Sequence, residues 1–126
     1  MPLEFIVSDE ITPPQVPLSH AVKCGNLVFV SGVHPMRQDR SVAPDFRSQM
    51  IQVMTGLQAI LAQAGTSLDR VIKTNVILVR TEDYREMNEI YRSYFAAGRY
   101  PARTTIVAGL AREDLLLEIE CVAELP

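Results

Sequence analysis

The stretch "MIQVMTGLQAILAQAG", Met50–Gly65, decides how the chain folds. Met50, Val53, Met54, Leu57, Ile60, Leu61 and Ala64 recur at steps of three and four, the spacing that lines side chains along one face of an α-helix. Asp45 precedes the stripe where an N-cap belongs, and Gly65 stands where glycine ends a helix in a left-handed conformation. A helix that is apolar on one side needs an apolar layer to rest on. "VIKTNVILV", Val71–Val79, follows at once; it is rich in β-branched residues and reads as a strand.

Upstream, "AVKCGNLVFVSG" reads as a hairpin, with Gly25-Asn26 as the turn between Ala21–Cys24 and Leu27–Val30. "VHPMRQDRSVAPD" is a polar, proline-punctuated loop. Residues 1–17 form a proline-rich arm with one short strand at Phe5–Val7. Downstream, "TEDYREMNEIYRSYFAAG" predicts a second helix, with Thr81 as its N-cap, Gly98 past its end, and a stripe of Tyr84, Met87, Tyr91, Tyr94 and Phe95. Strands at Arg103–Leu110 and Leu115–Ala123 close the chain, and the charged turn "AREDL" makes them an antiparallel pair.

The order is β-β-α-β-α-β-β. This is an α+β fold in two layers, a mixed sheet with two helices on one face, and 126 residues suit a single domain. The other sheet face is left bare. If Val28, Val30 and Ile106 lie there, a monomer exposes much apolar area, and self-association with closed symmetry is the expected remedy.

Composition narrows the function. Hydrophobic residues make up 48%, charged residues 21%, and the formal net charge is −3. With no long basic run, nucleic-acid binding is disfavoured as the main activity. No apolar stretch is long enough to span a bilayer, and the N-terminus lacks the pattern of a secretory signal. Two cysteines, Cys24 and Cys121, suit a reduced cytoplasmic protein better than a disulfide scaffold. His20 and His34 with these cysteines lack ligand-type spacing, which argues against a metal site. Walker and dinucleotide glycine patterns are absent, so phosphoryl and hydride transfer drop out.

The polar residues that remain are few. "YPARTTIVAG" opens a strand with Arg103, which either reaches solvent or holds an anion. In "LLLEIECVA", Leu117, Ile119 and Cys121 share one face, and Glu118 and Glu120 share the other. A carboxylate in mid-strand is either solvated or held by a partner, and the expected antiparallel pairing would bring Arg103 near one of these glutamates. Ser31, in "VSG", is a simple turn residue or a hydroxyl at a pocket rim; no GxSxG pattern surrounds it. Asn88 is a boundary amide or a ligand contact beside the helix stripe.

Five stretches coincide with one family. "SHAVKCGNLVFVSG", "AGTSLDRVIKTNVILV", "YREMNEIYRSYF", "YPARTTI" and "LLLEIECVA" make the chain resemble the RidA (YjgF/YER057c/UK114) family of enamine/imine deaminases, over nearly its whole length after Pro17. The resemblance implies a chorismate-mutase-like fold and a homotrimer with pockets between subunits. It implies that Arg103 binds the substrate carboxylate and that Glu118, rather than Glu120, activates water. Ser31, Asn88, Thr105 and Leu18 fall on its substrate-binding positions. The family's G-P-Y reads Val16-Pro17-Leu18, so the phenol is missing, and its S-G-Q reads Ser31-Gly32-Val33. The implied reaction turns a 2-imino or enamine acid into a 2-keto acid and ammonium, with no metal or organic cofactor. A deaminase for a larger enamine, a non-catalytic binding or regulatory module, and a ribonuclease are the rivals. Retention of Arg103 and Glu118 favours the enzymes, and the acidic balance counts against the ribonuclease.

Overall fold

The computed structural model describes residues 2–126. Six strands form one sheet: β1 (Glu4–Ile6), β2 (Ala21–Cys24), β3 (Leu27–Val33), β4 (Val71–Leu78), β5 (Ala102–Val107) and β6 (Leu117–Glu124). Two helices, α1 (Phe46–Ala64) and α2 (Tyr84–Arg92), accompany it. The spatial order is β1-β2-β3-β6-β4-β5. All neighbours are antiparallel except β4 and β5, which run parallel and are joined through α2. A parallel pair cannot be closed by a tight turn, so a crossover element is required there.

α1 forms as its sequence predicts. The Asp45 carboxylate accepts from the Ser48 amide at 2.9 Å, and Gly65 closes the helix at φ 93°. Every residue of the stripe from Met50 to Ala64 is buried against the sheet. Leu117, Ile119, Cys121 and Ala123 of β6 and Val76 and Leu78 of β4 meet it from below.

α2 departs from expectation. Thr81 does not cap it; Thr81–Asp83 is a 3-10 turn and the α-helix begins at Tyr84. The buried Asp83 is gripped by Arg80 through two bonds, at 2.8 and 2.9 Å. That bidentate pair takes the carboxylate that would otherwise cap a helix. The buried face is Met87, Ile90 and Tyr91, whereas Tyr84 is 47% exposed.

The last two strands are also rearranged. β5 and β6 are not neighbours: β4 lies between them, pairing Thr74 with Arg103 on one side and with Cys121 on the other. β4, whose Val76 and Leu78 are fully buried, takes a partner on both edges. The Val79 amide donates to Leu116 O and the Ala108 amide to Leu78 O, which ties both chain segments to the end of β4. Residues 108–116 therefore cross over β4 instead of making a hairpin.

The helix-free face holds Phe5, Phe29 and Ile106, each substantially exposed, with Val22 between the two phenylalanines in register and Val122 beyond Phe29. Val28 and Val30 lie on the opposite, buried face. The bare apolar face exists, but β3 contributes Phe29 to it, because alternation puts the valines inward.

Candidate active site

The candidate residues occupy three places. The first is the β5 edge of the helix-covered face. Arg103 shares its row with Thr74 and Cys121, and Thr74 points at α2, where its hydroxyl meets the Tyr91 hydroxyl at 2.9 Å. The Arg103 guanidinium lies 5.0 Å from the centroid of the Tyr91 ring. Burial holds the Tyr91 phenol above its usual range, so the cation meets the face of a neutral ring, a favourable cation–π placement. Its Nη1 also makes a weak contact to Met87 Sδ at 3.9 Å. No carboxylate among the described residues lies within ion-pair distance of Arg103. Two positions along, on the same face, the buried Thr105 hydroxyl has no hydrogen-bond partner.

The second place is the helix-free face at the end of β3. Glu118 shares its row with Ile77 and Ile106. Its Oε2 lies 2.5 Å from His34 Nε2. Its Oε1 packs on Gly32, where an added Cβ would come within 2.5 Å. Glu120, in contrast, is exposed and has no side-chain partner among the bonds of the described residues. Ser31 donates to Ser19 O at 2.6 Å, and its amide donates to His20 O, which fastens this strand end to the arm. Ser31, Gly32 and His34 also border a cavity of about 360 Å³ that lies toward α1, with Leu18, Val16 and Ile60 on other walls; Glu118 does not line it. Leu18 is 43% exposed there.

The third place holds Asn88 alone. It lies in a shallow groove with Tyr84, Arg85, Glu89 and Arg92 on the outside of α2, next in sequence to the Met87 that touches Arg103.

Arg103 and Glu118 thus point to opposite faces of the sheet within one chain. The expectation that β5–β6 pairing brings them together does not hold, because β4 separates those strands and alternation turns the two side chains apart. His34, weighed in the sequence only as a metal ligand, is the residue not expected beside Glu118. The β3–β6 register pairs Val33 with Ile119, so the next step along the ladder sets His34 across from Glu118. That neighbourhood can be read only once the strand pairing is known.

The remaining candidates for metal chemistry are dispersed. His20 Nδ1 accepts from the Ser8 amide at 2.8 Å, and Nε2 lies 3.1 Å from Thr12 O, which makes it a structural histidine that holds the arm. Cys24 is exposed, and the buried Cys121 thiol is pushed up to about 12, first by burial and then by nearby Glu120. Among the described residues, no cluster of three or more His, Cys, Asp or Glu is placed to hold a metal, and no helix is long and apolar enough to cross a membrane.

Residues 9–125 match the profile of the family described as endoribonuclease L-PSP. The chain belongs to that family. It is 36% identical to the 3-aminoacrylate deaminase RutC of Acinetobacter baylyi, with 98% of each protein covered. It is also 36% identical to the chloroplastic Reactive Intermediate Deaminase A of Arabidopsis thaliana, over 95% of this chain and 65% of that protein. Among solved structures, Escherichia coli TdcF with bound serine superimposes at a TM-score of 0.89 with 25% identity, covering 98% of this chain and 99% of that one. The α+β sheet with two helices on one face is the fold of this family.

Proposed function

We propose that the protein hydrolyses 2-imino and enamine acids to 2-keto acids and ammonium. The observation that carries this reading is the state of Glu118: a carboxylate bonded at Oε2 by His34 and packed at Oε1 on Gly32, with no Lys or Arg among the described residues within ion-pair distance. Arg103 is its counterpart, a guanidinium resting on an aromatic ring with no acidic partner among the described residues. A planar fork of that kind suits a substrate carboxylate, which it binds through two parallel N–H bonds. Relatives named as deaminases, and a relative that holds the amino acid serine, support the substrate class.

The chemistry follows from these two groups. Arg103 grips the carboxylate and sets the imine carbon in place. Water adds to that carbon of the N-protonated imine while Glu118 takes its proton, giving a neutral carbinolamine. Glu118 returns the proton to the amino nitrogen. The C–N bond breaks as the hydroxyl proton goes back to Glu118, and Glu118 passes that proton to the departing ammonia, so a 2-keto acid and ammonium leave and the carboxylate is regenerated. No metal or organic cofactor takes part in these steps. Ser31, Leu18, Asn88 and Thr105 line the substrate, Thr105 through its backbone.

The two halves of this site face away from each other in one chain, so one substrate reaches both only if a second copy supplies one of them. A homotrimer with pockets between subunits, built over the bare face that carries Phe29 and Ile106, meets both needs. We place this soluble assembly in the cytoplasm. Leu18 and the apolar cavity beside Ser31 favour longer aliphatic imines over the smallest ones. The test is to generate 2-imino acids from leucine, methionine and serine-type precursors in situ and follow keto-acid release against spontaneous hydrolysis. Acceleration of none of them overturns the reading.

A further inference from the structure

We propose that His34, together with Gly32, is the positioning device for the Glu118 carboxylate. The inference rests on the deaminase reading above and adds to it a residue that acts through Glu118 without touching the reacting atoms.

A glutamate side chain has three rotatable bonds, and a base that wanders among rotamers is misaligned most of the time. Here two neighbours remove that freedom. β3 shifts register between Val30 and Val33, and its continuation sets His34 directly across from Glu118, the closest relation two side chains have in a sheet. The 2.5 Å contact from His34 Nε2 occupies Oε2. The other oxygen sits against Gly32, at a spot that any side chain would fill. Gly32 has no positive-φ requirement, so what glycine supplies here is space for the carboxylate. Glu118 is held from two sides, and Oε1, with no hydrogen-bond donor on it among the described residues, keeps lone pairs for water.

The Nε2 contact also sets the imidazole. To bond a carboxylate, Nε2 must carry a proton. His34 keeps that donor whether the ring is neutral or charged, so the anchor does not depend on a single protonation state. His34 is one-third exposed, and its ring lines the cavity wall with Ser31 and Gly32. It therefore stands between Glu118 and the place where an aliphatic substrate tail would lie.

The test compares His34→Leu, which keeps bulk and loses the donor, with His34→Gln, whose amide N–H reaches a similar position. With imines generated from leucine, His34→Leu is expected to lose roughly 10- to 100-fold in kcat at nearly constant KM, the signature of a misplaced base. His34→Gln is expected to regain most of that loss, and thermal unfolding of both is expected to match the parent. In a Glu118→Gln background His34→Leu is expected to change nothing further, because there is no base left to position. If leucine at position 34 prevents folding, His34→Asn, too short to reach, takes its place. Parental kcat in His34→Leu, or an equal loss with and without Glu118, overturns this inference and leaves the deaminase reading standing. A parent that accelerates no imine overturns both.

Discussion

Arg103 and Glu118 are held by opposite means. Arg103 is placed by apolar matter: it rests on the Tyr91 ring and Met87, under a helix, with no acid beside it. Glu118 is placed by hydrogen bonding and by the absence of a side chain at Gly32, on the side of the sheet where no helix lies. A guanidinium can sit on a ring face and still present its fork, because its charge is spread and weakly hydrated. A carboxylate on a strand has no such support and needs a donor to hold it. In the proposed function the two groups are half-sites held in these different ways.

Five measurements break or sharpen this comparison. Glu118→Gln keeps the shape and removes the base, so kcat is expected to fall roughly 10²- to 10⁴-fold. Glu120→Gln, at an exposed position without a partner, is expected to stay close to the parent. Equal losses in steady-state assays would erase the distinction between the two glutamates. Arg103→Ala is expected to lose about 3 kcal/mol in kcat/KM, or roughly 10²-fold, with an unchanged unfolding temperature. Arg103→Lys is expected to recover little of it, lacking the fork. Unimpaired hydrolysis by Arg103→Ala would remove the clamp.

Mixing these two inactive variants tests the separation itself. Random reassembly of Arg103→Ala and Glu118→Gln chains in closed rings pairs an intact arginine with an intact glutamate at about a quarter of the sites. Activity is expected to return to about that fraction after denaturation and joint refolding. Light scattering is expected to give roughly three times the 14.1 kDa chain mass. No recovery, or a monomer at micromolar concentration, would place both halves in one chain. The smallest effect belongs to Leu18→Tyr. Restoring a hydroxyl at the cavity rim is expected to shift relative kcat/KM toward small imines by about 0.5–1.5 kcal/mol. An unchanged substrate series would take position 18 out of the pocket.

What the sequence revealed follows from the range of the interactions involved. α1 is a local object: its stripe, its Asp45 cap and its Gly65 terminus lie within one stretch, and each can be read from spacing. The Gly25-Asn26 hairpin is equally local. The start of α2 is decided by an ion pair between Arg80 and Asp83, a choice that propensity does not rank against capping by Thr81. The position of β6 depends on which distant strand accepts it, and the turn-like "AREDL" gives no sign that β4 intervenes. Arg103 and Glu118 stand out as residue types in unusual places. Their opposite orientation follows from alternation plus strand order, and His34 follows from register. Both become visible only after pairing is known.

The place of β6 has a consequence for how the protein is made. β6 comes after every other strand in the chain, yet it lies in the middle of the sheet, between β3 and β4. Until residues 117–124 leave the ribosome, β1-β2-β3 and β4-α2-β5 are two separate fragments, and each presents an unpaired edge. From the emergence of β4 until that of β6 the nascent chain therefore carries two open edges, the surfaces that invite mispairing. Insertion of one eight-residue strand closes both at once.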